Sequence, residues 1–358
     1  MVFSGNCAVL NTATSHAERP SMNRSSSRPA KPGPSKLALS LPVAALMAAA
    51  CATQAQAQFY VNFNATYDFG SLTAPEQATF VSSISSALSF YTSSLQTPTP
   101  LTVGILFKAD ESVSLGQSST YVNTESYTDF RSKLVANAGS AADAVALSFL
   151  PTGANNPANG STQVTTSLPL LRALGFASGD NSGVGGVDST VSLKTSIMNL
   201  DRTGPQNPGF YDLKQVVWHE VNEVLGFTSS LSGSGQGSPA TTGAIGAADL
   251  FRYNGIGSRS FSTSLSEVSY LSYDNGATKL AGYNQNAGGD FSDFDGNPPK
   301  VQDAFSTPGL QLDQGLAEKT ALDIIGYNFA SVPEPADLAL AAAFTLIGFA
   351  TVRKLRAA

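Results

Sequence analysis

The sequence predicts an α+β domain over residues 58–331. Three observations carry this: strand-like and helix-like segments alternate through the first half of that span, one strongly apolar helix lies at residues 211–225, and beyond residue 228 the chain becomes Gly-rich and Ser-rich with no sustained period. The chain has 358 residues, 42% of them hydrophobic and 13% charged. That is enough apolar material to bury a core, and it excludes intrinsic disorder as a description of the whole.

The elements follow in order. Residues 59–63 read as a first strand. Residues 74–95 read as a helix, because Phe80, Ile84, Leu88 and Tyr91 recur along one helical face. Residues 101–107 (LTVGILF) form a compact apolar run suited to a buried strand, residues 126–137 contain a short helix, and residues 144–150 are a further candidate strand. Residues 189–200 set Val191, Leu193 and Ile197 against polar neighbours, the pattern of a half-exposed strand. Residues 211–225 (YDLKQVVWHEVNEVL) carry Leu213, Val217, Val221, Val224 and Leu225 at helical spacing and end at Gly226, placed as a C-cap. There is no internal repeat and no Gly-rich phosphate loop.

Both ends read as addresses. Residues 36–57 follow a basic stretch with a run of small apolar residues and present Ala55-Gln56-Ala57 before Gln58, so residues 1–57 are expected to be a cleaved signal peptide, with Met22 the expected start. Cys51 lacks the upstream Leu of a lipoprotein site. At the other end Val332-Pro333-Glu334-Pro335 precedes fifteen apolar or small residues, 338–352, and then Arg353-Lys354-Leu355-Arg356. That run is shorter than the ~20 residues that span a bilayer comfortably, yet its basic finish has the character of a stop signal. The layout of residues 332–358 resembles the PEP-CTERM sorting signal of exopolysaccharide-producing Gram-negative bacteria. That resemblance implies export, transient membrane anchoring by 338–352, and removal of the tail by sorting and processing machinery.

Charge and residue counts narrow the chemistry of the body. Residues 58–331 hold 12 Lys plus Arg against 23 Asp plus Glu, a net of −11, and such a surface repels phosphate backbones. Nucleic acid is not an expected partner. Cys7 and Cys51 both lie in the leader, so the body has no disulfide and no thiolate ligand. His16 is also in the leader, which leaves His219 as the body's one imidazole.

That histidine sits in the apolar helix as His219-Glu220-Val221-Asn222-Glu223. Four-residue spacing puts His219 and Glu223 on one face, where both can reach a single cation, with Glu220 one residue on as the candidate general base. The competing view is an amphipathic helix with its carboxylates in solvent. Trp218, Val221, Val224 and Leu225 leave little polar face for that.

The stretches WHEVNEVLGF, ADLFRYNGIGSRSF, GYNQNAGGDFSDFDG and DQGLAEKTALDIIGYNF, with LGQSS at 115–119, resemble a family of exported, often PEP-CTERM-tailed bacterial zinc metalloproteases with an H-E-x-x-E helix. The resemblance implies a zincin-like fold: a twisted mixed sheet with an edge strand above the active-site helix, and an irregular C-terminal part supplying the remaining ligands. It makes His219 and Glu223 metal ligands, Glu220 the catalytic base, and residues 189–200 the edge that pairs an extended peptide. One divalent metal is expected, zinc first.

The better-known metzincin pattern places a third ligand where this chain has Ser229, and no Met-turn follows. Asp249 is the first choice for the third ligand, with Asp290 and Asp293 behind it. Asp249 also fits a capping aspartate, and Asp290, Asp293 and Asp295 also fit a solvated turn or a calcium site. One imidazole and two carboxylates leave a cation little net charge, so it acidifies water less than a three-His site does, and a metal harder than zinc is also compatible. Tyr253 and Tyr283 are candidate oxyanion helpers. The expected activity is hydrolysis of peptide bonds in a protein or peptide substrate. The alternative is an exported binding or structural protein of the extracellular matrix, zincin-like but catalytically inactive. A two-carboxylate glycosidase fits poorly, because Glu220 and Glu223 share one helix and would not flank a sugar at the ~5 Å or more required.

Overall fold

The computed structural model describes residues 58–180, 186–231, 243–286 and 288–330. The leader and the tail lie outside the described residues. Among the described residues no helix is long and apolar enough to cross a membrane.

In chain order the main elements are β1 (Asn62–Asp68), α1 (Ala74–Ser94), β2 (Thr102–Ala109), β3 (Gly116–Thr120), β4 (Val122–Ser126), α2 (Tyr127–Asn137), α3 (Ala141–Ser148), β5 (Gln163–Ser167), α4 (Leu168–Ala173), β6 (Ser189–Leu193), α5 (Leu213–Val224), β7 (Arg252–Gly255), β8 (Ser258–Arg259), β9 (Tyr270–Leu271), β10 (Ala281–Gly282) and α6 (Leu316–Ile324). The class is α+β. The central sheet has the order β1-β2-β6-β3, with β1, β2 and β6 parallel and β3 antiparallel at the edge. β4 and β5 form a separate antiparallel pair, and β8-β7-β9-β10 make a small sheet in the C-terminal part. Phe59–Tyr60, Leu95–Thr97 and Asn328–Phe329 form a three-stranded clip that joins the two ends of the described chain.

Helix α1 forms where the apolar stripe predicts it. Phe80, Ile84, Leu88 and Tyr91 are all buried, and Thr73 and Glu76 close a capping box at its start. Helix α5 packs against α1 on one side and β3 on the other. Hydrogen bonds lock the helix pair: among them, Trp218 Nε1 donates to the Ala87 carbonyl at 2.9 Å, and the Tyr91 hydroxyl donates to Asn222 Oδ1 at 2.7 Å. Burying Val216, Val217, Val221 and Val224 supplies roughly 1.5–3 kcal/mol each, so the helix that carries the His-Glu motif is held from both sides.

Two expectations are corrected. Residues 144–150 are not a strand, because α3 spans most of that stretch. Four alanines at 141, 142, 144 and 146 favour helix, and Ser140 with Asp143 forms a capping box at its start. The segment 189–200 is not the sheet edge. Only Ser189–Leu193 is extended in the main sheet, and it is interior, paired with β2 on one side and β3 on the other. The chain then curls through a short 3₁₀ turn at Thr195–Ile197. The edge is β3, the LGQSS segment. Its polar side chains fit an exposed rim, and Thr120 shares a 2.8 Å hydroxyl contact with Ser189.

Candidate metal centre

Helix α5 starts at Asp212, whose side chain accepts the Gln215 N–H at 3.1 Å. It ends in a Schellman arrangement, with Gly226 N–H bonding the Glu223 carbonyl and Phe227 N–H bonding the Asn222 carbonyl. Gly226 has φ +101°, and a Cβ there would lie 2.7 Å from Leu170 Cδ2, so the predicted C-cap glycine is required on both counts.

On this helix His219 Nδ1 lies 3.1 Å from the Val301 carbonyl. With Nδ1 as the donor, the lone pair of Nε2 is left facing the carboxylates. Nε2 is 3.6 Å from Glu223 Oε1 and 3.5 Å from Asp293 Oδ2. The three ligand atoms lie within 4.8 Å of one another. Tetrahedral ligands at about 2.0–2.2 Å from one ion sit roughly 3.3–3.6 Å apart, so this donor set fits a divalent cation.

The ligand side chains are themselves held. Ser118, on edge strand β3, donates to Glu223 Oε2 at 2.6 Å. Gln302 Nε2 donates to Asp293 Oδ1 at 3.0 Å, and Gln302 Oε1 accepts from Asn222 Nδ2 at 3.0 Å. Oriented ligands of this kind lose little freedom on binding. Glu220 is buried and faces the same cavity of about 320 Å³, whose wall also includes residues of β3, Asp290 and Asp303.

Five carboxyl groups thus converge on one imidazole. Burial by itself would depress the His219 pKa, but Asp293 and Glu223 outweigh it and raise it well above the ordinary imidazole value. Burial, with Glu223 adding repulsion, raises Glu220 well above the usual carboxylate range, and burial raises Asp293. Withdrawal from water pushes Asp290 and Asp303 each up to about 6, with Asp293 and Glu223 contributing at Asp290. Negative charge is in excess here, and either protons or a cation must balance it.

Asp249 is not one of the converging side chains. It is buried, its Oδ2 accepts from the Ser230 N–H at 2.9 Å and the Gly246 N–H at 2.8 Å, and its Oδ1 accepts from the Ser229 hydroxyl. Both oxygens are engaged, so the third candidate ligand is Asp293. Ser229, at the position of the metzincin ligand, is the partner of Asp249. Asp295 receives the Asn297 N–H at 3.1 Å and does not line the cavity, so the acidic loop divides its work among its members. Tyr253 accepts from Arg259 at 2.6 Å, Tyr283 lies under Arg252, and neither lines the cavity.

No family model, curated protein or solved structure matches this chain. Ser118, Gln302 and the Val301 carbonyl escaped the sequence reading. Only LGQSS carried a signal, through resemblance; Gln302 and Val301 lie in a stretch without a motif.

Proposed function

We propose that the chain is an exported metal-dependent endopeptidase with a zincin-like fold, of the PEP-CTERM-tailed kind that its sequence resembles. One observation carries the reading: His219, Glu223 and Asp293 converge in a cavity that also holds Glu220, beside a sheet edge that no strand covers among the described residues. A divalent cation bound there, zinc first, would supply Lewis acidity for a peptide carbonyl and for water. Glu220 is the base. It takes a proton from the attacking water and returns it to the leaving amine. Edge strand β3 pairs the extended substrate, while Ser118 keeps Glu223 turned toward the site. Residues 332–358 address the protein to the periplasm, cell surface or extracellular matrix.

Glu220→Gln keeps size and hydrogen bonding but removes the base. Stoichiometric metal should remain while cleavage of an unfolded protein falls by about 100-fold to 10,000-fold. If the wild type shows no chelator-sensitive cleavage with zinc, manganese or calcium supplied, the enzyme reading fails in favour of a matrix binding protein.

A further inference from the structure

The segment Ala248-Asp249-Leu250-Phe251-Arg252-Tyr253 stands out in the sequence, yet neither of its charged residues lines the cavity. Arg252 is fully buried, at 1% exposure. Its Nη1 donates to the Phe291 carbonyl at 2.5 Å, and its Nε and Nη2 have no hydrogen-bond partner among the described residues, although the Asp249 carboxylate acts on its charge. A buried guanidinium with so few partners is costly to keep. What it holds is the backbone between Asp290 and Asp293.

The guanidinium also lies over the Tyr283 ring at 4.4 Å. Tyr283 in turn stacks on Phe227 at 6.4 Å and meets Phe294 at 5.9 Å. Phe227 follows the last turn of α5, and Phe294 follows Asp293. One arginine therefore bears on the two pieces of chain that bring the ligands together: by hydrogen bond on the Asp293 loop, and through an aromatic ring on the end of the His-Glu helix. Asp249, three residues earlier, secures the chain just past that helix.

We infer that Arg252 is a positioning residue that sets the Asp293 carboxylate at ligand distance from His219 and Glu223. This rests on the metal-centre reading above. The cation–π contact and the charged hydrogen bond both need the guanidinium, so an apolar side chain of similar length would fill the space and release the loop.

The test is divalent cation affinity, measured by chelator competition with zinc and by the visible spectrum of the cobalt-loaded chain, at a temperature well below Tm. Arg252→Met should weaken binding by about 10-fold to 100-fold, and Arg252→Lys, which keeps a cation over Tyr283 and one donor, should recover part of it. In an Asp293→Asn background Arg252→Met should cost little more, because the group through which it acts is already gone. A purely structural role would lower Tm and leave affinity unchanged. Equal affinity in wild type and Arg252→Met, or full additivity with Asp293→Asn, overturns the inference. If Arg252→Met does not fold, Arg252→Lys in the same cycle decides on the same two criteria. A wild type that binds no divalent cation fails the metal-centre reading itself, and this inference with it.

Discussion

Asp249→Ala and Asp293→Ala should have opposite signatures. Asp249 accepts two backbone N–H groups and the Ser229 and Ser230 hydroxyls while almost wholly buried. Truncating it orphans the N–H groups of Ser230 and Gly246, each worth about 1–3 kcal/mol when left unsatisfied. The expected loss is about 3–5 kcal/mol of stability, partly recovered in Asp249→Asn, with metal stoichiometry unchanged in the fraction that remains folded. Asp293→Ala removes a carboxylate from a crowded acidic cavity, where burial above all, and then repulsion from Glu223, raise its pKa against the pull of His219. The apo protein should lose only about 1–3 kcal/mol, for the buried Gln302 Nε2 left without its acceptor and offset in part by the relief of repulsion, while cation affinity should fall by more than the roughly 10-fold to 100-fold seen for groups one shell out. Denaturant unfolding of the apo forms and metal analysis after dialysis measure the two quantities separately. Retained metal in Asp293→Ala, with loss confined to Asp249→Ala, would refute the ligand assignment.

Other outcomes follow from the same geometry. At Gly116 an added Cβ would lie 2.3 Å from Glu220 Oε1 and 2.7 Å from Val216 Cγ1. Gly116→Val should therefore cost about 1–3 kcal/mol by overpacking and should lower peptide cleavage with metal content intact, as titration and turnover would report. Burial, with repulsion from Asp143, pushes Asp323 up to about 7, so the folded state holds a proton that the unfolded chain releases near 4. That contribution is full below pH 4 and lost as pH rises through 7. Asp323→Asn should melt with the wild type at pH 4 and be more stable by up to about 4 kcal/mol at pH 8, and identical pH profiles would remove the assignment. Intact mass of the exported protein should match residues from Gln58 to near Val332, and retention of residues 338–352 in protein from the medium would sink the tail reading.

The His-Glu helix was legible because everything that makes it is local: a 3.6-residue apolar period, a capping Asp212 and a Gly226 that no other residue replaces. The third candidate ligand was not. Asp249 and Asp293 have the same side chain and both sit in buried turns, so only the path of the chain beyond Gly226 decides which faces Nε2. The sheet edge was misplaced for a similar reason. β6 alternates as an edge would, but β3, made of small polar residues with no apolar signature, adds outside it and takes the rim. In α3 the small alanines of residues 141–146 carry no helical stripe, so its cap, a matter of two side chains, was the sole strong signal.

Glu223 and Asp293 stand 70 positions apart in a body without cysteine. An ion shared between them closes a loop of that length, and on the chain-entropy model a crosslink of this size is worth about 4 kcal/mol, less any strain. The chain acquires this fastener only where the cation is supplied. Without the ion, residues 243–286, which lead from the far side of helix α5 to the acidic loop, are held by packing and hydrogen bonds alone. Proteolytic nicking within residues 243–286 should therefore be faster in chelator than when metal is restored, so that an ion at this site would govern the survival of the fold.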